Sequence, residues 1–205
     1  MEVKIALVKY IYLDIVGYSF DRTVEAQTEI INILNSIVLN AVKEQKIGKE
    51  KIIYIPTGDG MCICLLNVID PYDIHLRIAL SILEQLYRRN EKQQDNKRSF
   101  KIRIGINENH DNIITDINNR ENVAGAGINF AQRIMTLAKG NQIYVGQSVY
   151  EKLVQRDLYF NSFVHENVIF KHGTNYSCYQ YINENCIYLN SNYQNDEMQE
   201  QDNNA

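Results

Sequence analysis

The stretch Ile11-Tyr12-Leu13-Asp14-Ile15-Val16-Gly17-Tyr18-Ser19 is a β-branched, aromatic run that ends on an acid and then a glycine. The apolar run begins at Ile5, with Tyr10 and Tyr12 interleaved, and reads as a strand closing at Ile15. Asp21 or Thr23 then caps a long helix reaching about Gln45. Its apolar positions Val24, Ile30, Ile31, Leu34, Ile37, Val38 and Ala41 recur close to a 3.6 period. Lys51 to Ile55 and Met61 to Leu66 are two further β-rich runs. Pro56-Thr57-Gly58-Asp59-Gly60 between them has turn chemistry, so the pair forms a hairpin.

Asp70-Pro71 opens a second helix, with aspartate as cap and proline in the first turn. Leu76, Leu80, Leu83 and Leu86 line one face, and Arg88-Arg89 close the last turn, where cations suit the helix dipole. Phe100 to Ile106 is a strand, and Asn107 to Asn122 reads as a polar loop with a short apolar piece at Ile113-Ile114. A third helix spans about Gly127 to Ala138 and stops at Gly140. Gln142 to Val145 is a strand, Ser148 to Arg156 a short helix, and Phe163 to Phe170 and Tyr176 to Tyr181 are closing β runs. The order is β-α-β-β-α-β with C-terminal α and β additions. It predicts an α+β, ferredoxin-like fold with a mainly antiparallel sheet and helices on one face.

At 205 residues the chain has room for one domain with a sizeable core. We place that domain at residues 1–184 and expect a polar, disordered tail over 185–205. Asp196, Glu197, Glu200 and Asp202 give the end of the chain a charge of −4, which equals the formal charge of the whole chain. An acidic docking role for this tail is the alternative. A body near neutrality argues against coating nucleic acid. The N-terminus lacks a signal-peptide pattern, and no apolar run approaches the ~20 residues needed to span a bilayer. The expectation is a cytoplasmic protein that binds neither nucleic acid nor membrane. Cys62 and Cys64 share one strand face, and with Cys178 and Cys186 they read as reduced cysteines rather than as metal ligands. His75, His110, His165 and His172 read as structural or surface residues.

Asp14 ends the first strand and Asp59 sits in the hairpin turn. If the first and third strands are neighbours, the two carboxylates meet, and such a pair repels unless cations sit between them. Hard divalent ions take oxygen ligands of this kind, and two of them ~3.5–4 Å apart stabilise both oxygens of an in-line phosphoryl displacement. Gly17, Tyr18 and Ser19 precede a helix, where backbone N–H groups suit phosphate oxygens. Asn129 and Arg133 lie four apart on the third helix and project together, an amide to hold a ribose and a guanidinium to meet phosphate charge. Gly125-Ala126-Gly127 is too short to count as a dinucleotide motif.

Taken in order, Tyr12 to Ser19, Thr57-Gly58-Asp59-Gly60, Arg103-Ile104-Gly105-Ile106 and Gly125 through Ile134 resemble the class III nucleotidyl cyclase catalytic domain over about residues 8–182. The resemblance implies that Asp14 and Asp59, helped by the Ile15 carbonyl, bind two divalent cations, Mn2+ or Mg2+. It implies that Asn129 and Arg133 stabilise the transition state. It also implies a head-to-tail homodimer in which one chain supplies the aspartates and the other the Asn/Arg pair. Ile55 stands where adenylate cyclases of this family carry lysine, and Asn122 where they carry aspartate. Neither reads a purine in the usual way. Arg22 to Thr28, Pro56 to Cys62, Tyr72 to Leu76, Gly105 to Asn109 and Arg120 to Asn129 look more closely like the pyrimidine cyclases of bacterial Pycsar antiphage systems. That implies cyclic UMP, or cyclic CMP, made from UTP or CTP and read by a separate effector protein. The alternatives are an adenylate cyclase, a non-catalytic cyclase-like nucleotide-binding module, and an RNA-binding ferredoxin-like domain. The last would want exposed aromatics on central strands and a basic face, and neither the net charge of −4 nor the motif aspartates fit it.

Overall fold

The computed structural model describes residues 4–170 and 174–192. Its elements are β1 (Lys4–Ile15), α1 (Val24–Glu44), β2 (Ile52–Pro56), β3 (Gly60–Leu66), α2 (Ile74–Asn90), β4 (Ile102–Thr115), β5 (Glu121–Ala124), α3 (Ala126–Leu137), β6 (Ile143–Gly146), α4 (Gln147–Leu153), β7 (Phe163–Phe170) and β8 (Thr174–Tyr181). One sheet runs β2-β3-β1-β4-β6-β8-β7, with β5 hairpinned onto β4. Every pair is antiparallel except β4–β6. This is the expected α+β arrangement, with the first and third strands adjacent.

Alternation along β1 sorts the core into two layers. Ile11, Leu13 and Ile15 face the larger cluster, which α1, α2 and α4 cover through Leu34, Ile78 and Val149. Val8, Tyr10 and Tyr12 face a smaller cluster with Cys62, Cys64, Ala131 and Met135. Residues Ala131 and Met135 belong to α3, so α3 lies on the opposite face and the helices do not share one side. The cause is local. Gly105 of β4 has no side chain, and a Cβ there would stand 2.3 Å from the Met135 nitrogen and 2.4 Å from the Ala131 carbonyl oxygen. The α3 backbone therefore rests directly on the sheet.

Other expectations shift. Thr23 caps α1, its hydroxyl accepting from the Ala26 N–H at 3.3 Å, while Asp21 sits in the preceding turn. The second helix starts at Ile74 rather than at Pro71. Its N-cap residue, Asp73, turns its carboxylate to Arg77 (2.7 Å) and the Tyr159 hydroxyl (2.7 Å). The expected loop over 107–122 is mostly strand. The polar run Asn107 to Asn112 lies in β4, which runs on past its partner β6 and pairs with β1 and β5 instead. The short helix α4 ends at Leu153, not Arg156. Packing continues past the expected boundary at 184: Leu189 joins the main core, with Cys186 and Tyr188 against it. The acidic residues of the expected tail, like His172, lie outside the described residues. Cys62, Cys64 and Cys178 are free and buried. His75 is buried, whereas His110 and His165 are exposed. No helix among the described residues is long and apolar enough to cross a membrane.

Candidate active site

The site begins where β1 ends. Asp14 pairs across to Gly60 on β3 and to Arg103 on β4, so the hairpin turn carrying Asp59 comes to the end of the central strand. Gly60 makes the approach possible: a Cβ there would lie 2.1 Å from the Leu13 carbonyl oxygen and 2.9 Å from the Asp14 Cα. The Ile15 N–H also donates to the Asp59 carbonyl at 3.3 Å. Asp14 and Asp59 thus come to the same end of the central strands. Burial and the neighbouring Asp14 carboxylate push the Asp59 carboxyl above its usual range, and Arg103 partly offsets this.

Arg103 is the residue that the sequence reading missed as part of the site. Its guanidinium donates to the Asp14 Oδ2 from Nε at 3.1 Å and from Nη2 at 2.7 Å. The signal was available, because Arg103 is the polar outlier in a strand whose apolar residues face the other way. A guanidinium drawn to one of two neighbouring carboxylates marks a place that attracts cations. The donor set suits hard divalent ions: two carboxylates, with the Ile15 carbonyl next in the chain. Among the described residues no group of three or more His, Cys, Asp or Glu could hold a metal ion. A cation here would therefore need ligands from a bound polyphosphate as well.

Gly17, Tyr18 and Ser19 do not open a helix. They form a turn with Gly17 at φ +61°, closed by a Phe20 N–H bond to the Gly17 carbonyl at 3.1 Å. Arg22 bonds the Gly17 and Tyr18 carbonyls from below, and a cavity of about 270 Å³ opens beside the turn between Val16, Phe20, Arg22 and Lys97.

On α3, Gly127, Ala131, Ile134 and Met135 are buried against the sheet. At 100° per residue, Asn129 and Arg133 fall about 160° round the helix from Ala131. Both therefore point away from the sheet that carries their own chain's aspartates. Asn129 is exposed, and Arg133 is half-buried with its guanidinium 5.8 Å from the Phe130 ring. The single chain brings Asp14 and Asp59 together but turns Asn129 and Arg133 outward.

The helix is anchored by Asp111, a second residue absent from the sequence reading. Its carboxylate accepts from the Tyr10 hydroxyl (2.6 Å), the Gly127 N–H (3.0 Å) and Asn109 Nδ2 (2.7 Å). It caps a helix whose own N-cap, Gly125, has no side chain to offer. Gly125 and Gly127 leave space for this carboxylate: a Cβ at either would come within 1.9 or 2.3 Å of an Asp111 oxygen. That accounts for the Gly-Ala-Gly spacing without a phosphate.

Ile55 on β2 and Val123 on β5 join the smaller apolar cluster, and β5 touches β2. Asn122, beside Val123, is half-buried, and its side-chain oxygen accepts from the Val123 N–H at 2.7 Å. Ile55 and Asn122 thus lie on two touching strands, and neither carries charge.

Comparison with known proteins agrees with this geometry. The sequence profile of the "Adenylate and Guanylate cyclase catalytic domain" matches residues 4–183. No curated protein matches. Among solved structures, the guanylyl cyclase Cya2 superposes with a TM-score of 0.71 at 17% identity, covering 90% of this chain and 96% of that one. The adenylyl cyclase CyaB from P. aeruginosa gives 0.68 at 15% identity, over 89% and 97%. The guanylate cyclase domain of RhGC from Catenaria anguillulae, solved with GTP, gives 0.65 at 20% identity, over 87% and 97%. Those structures share the fold, and the profile spans nearly the whole described chain: the protein belongs to the adenylate and guanylate cyclase catalytic domain family and is a nucleotide cyclase.

Proposed function

We propose that this chain is a pyrimidine nucleotide cyclase that converts UTP to 3′,5′-cyclic UMP and pyrophosphate. The observation that carries the two-cation reading is the placement of Asp59 beside Asp14 at the end of β1, through the Asp14↔Gly60 pair and the Ile15 N–H bond to the Asp59 carbonyl. Asp14, the Ile15 carbonyl and Asp59 would hold two divalent cations, Mn2+ or Mg2+. When bound, these supply charge neutralisation at the polyphosphate and a lowered pKa at the ribose 3′-hydroxyl. The turn at Gly17, Tyr18 and Ser19 offers backbone to the phosphates. With cations held there, Arg103, which donates to Asp14, would also be available to phosphate oxygens.

The ribose 3′-oxygen attacks the α-phosphate in line, and the bond to the β-phosphate oxygen breaks. Arg133 meets the charge that develops on the phosphorus centre, and Asn129 orients the ribose. In our reading both come from a second copy, since on their own chain they face outward. The enzyme is then a homodimer with sites at the interface.

Base choice rests on Ile55 and Asn122. A neutral amide and an apolar side chain stand where the lysine and aspartate that serve a purine in this family would be, and the likeness to pyrimidine cyclases supports UTP. CTP, giving cyclic CMP, is the second reading, because an amide can donate or accept. The likeness to Pycsar cyclases supports a messenger role in antiphage defence, with the product read by a separate effector. Two measurements test the proposal. Asp59→Ala must abolish Mn2+-dependent pyrophosphate release from UTP, and retained activity would sink the two-cation assignment. Cyclic UMP must rise in cells after phage infection, and a flat level would remove the defence role.

A further inference from the structure

The largest described cavity lies away from the aspartates, between the C-terminal half of α1 and the edge strand β2. It measures about 670 Å³, and Leu39, Val42, Ile47, Ile52 and Tyr54 supply its apolar walls. A second hollow of about 270 Å³ continues it past Leu39 and Tyr54 toward Pro56 and Met61. Leu39 is 55% exposed and Tyr54 38%, an apolar surface that a finished fold ordinarily covers.

Two further observations define what would cover it. The groove is lined by Lys43, Lys46 and Lys49, Lys51 adjoins it next to Ile52 in the chain, and none of the four forms an ion pair among the described residues. The helix dipole accounts for Lys43 in the last turn of α1, but not for the three beyond it. Of the two acids in this run, Glu44 is already engaged with Ser81 and Gln85, and Glu50 remains. The patch is therefore basic on a chain whose net charge is −4. The outer side of β2 also pairs with no strand among the described residues. An open strand edge offers backbone donors and acceptors to an extended chain.

We propose that this groove docks an extended acidic segment of a partner protein. The segment pairs with the edge of β2, one large apolar side chain enters the cavity beside Leu39 and Tyr54, and carboxylates meet the four lysines. The apolar element is a recess beside a strand edge rather than a protruding patch, which favours a peptide over a lipid surface. The proposal does not depend on the substrate assigned above. It does place the partner on β2, one turn from Asp59.

The test uses a fluorescein-labelled synthetic peptide of eight residues, alternating glutamate with leucine or phenylalanine, added to the full chain. Binding should appear by anisotropy at micromolar protein and weaken more than tenfold in Leu39→Asp and in the triple variant Lys43→Glu/Lys46→Glu/Lys49→Glu. It should be lost when the peptide's glutamates become lysines. Circular dichroism melting of each variant checks folding, and backbone amides of residues 52–55 should shift in NMR spectra of the wild-type chain with peptide. No binding at millimolar peptide, or binding that these variants leave unchanged, overturns the proposal. So does tenfold tighter peptide binding after removal of residues 193–205, which would make the chain's own acidic terminus the occupant. Loss of dimer in Leu39→Asp would make it a second copy, and capture by anionic phospholipid vesicles in preference to the peptide would make it a membrane. Either result also overturns the proposal.

Discussion

Replacing Gly60 by alanine tests how tightly the site is built. The new Cβ would stand 2.1 Å from the Leu13 carbonyl oxygen, and separations under 3.0 Å are essentially unknown for real Cβ atoms. Strands β1 and β3 must therefore part by close to 1 Å at the pair Asp14↔Gly60. The obstacle is backbone, so no side chain can swing away. Overpacking of this sort costs roughly 1–3 kcal/mol, and a backbone clash belongs at the upper end. For a domain of this size about 3 kcal/mol lowers the melting temperature by about 6–12 °C. The displacement falls on the two carboxylates, and misplacing catalytic groups by ~1 Å costs on the order of a hundredfold in rate. Calorimetry and pyrophosphate release read the two effects separately. Gly58→Ala is the control: nothing lies within 4 Å of its Cβ, and its φ of +96° leaves backbone strain as the only cost. A Gly60→Ala chain that melts within 2 °C of wild type and keeps its activity would refute the close strand approach.

Asp59→Asn separates stability from function, because it relieves the like-charge contact with Asp14 while removing a donor to cations. Thermal scans should show an equal or higher melting temperature, and turnover should fall by at least about a hundredfold. Asp111→Ala leaves the Tyr10 hydroxyl and the Gly127 N–H without their buried partner, so denaturant titration should show a loss of about 2–4 kcal/mol. His75 is buried, and burial first, then Lys9, depresses it to about 3. The unfolded state binds its proton from about pH 6.5 down, so stability is full above that and falls as the pH drops toward 3. His75→Gln should flatten that acid limb in melts taken at successive pH values. An Asp59→Ala chain mixed with an Arg133→Ala chain should regain about a quarter of wild-type activity. About half the dimers are then mixed and hold one intact site each. No recovery on mixing would place all four residues in one chain.

The sheet order was legible because its pattern is strong. The Pro56–Gly60 turn paired β2 with β3, and the β-α-β-β-α-β order allowed the first and third strands to be neighbours, which brings Asp14 and Asp59 to one end of the sheet. The side of the sheet that α3 covers was not legible, because it depends on Gly105 meeting the α3 backbone, a contact between residues far apart in sequence. The same holds for Asp111, which looks like a loop residue until the strand extension of β4 carries it under the N-terminus of α3. The strand itself was hidden by its polar residues, several of which bond to the helices: Asn107 and Asp111 to Gly127, and Glu108 to Lys152. Arg103 was in view within a matching motif, but its role depends on facing Asp14 across two strands. The packing of Leu189 escaped composition because a single apolar residue in a polar stretch says nothing of the pocket that receives it.

Cyclisation of a pyrimidine at this site can be read directly from products. The purified chain, given Mn2+ and equimolar UTP, CTP, ATP and GTP in one vessel, should yield cyclic UMP and pyrophosphate in excess of every other cyclic nucleotide. A product dominated by cyclic AMP or cyclic GMP would contradict it, and would return Ile55 and Asn122 to the status of ordinary strand residues.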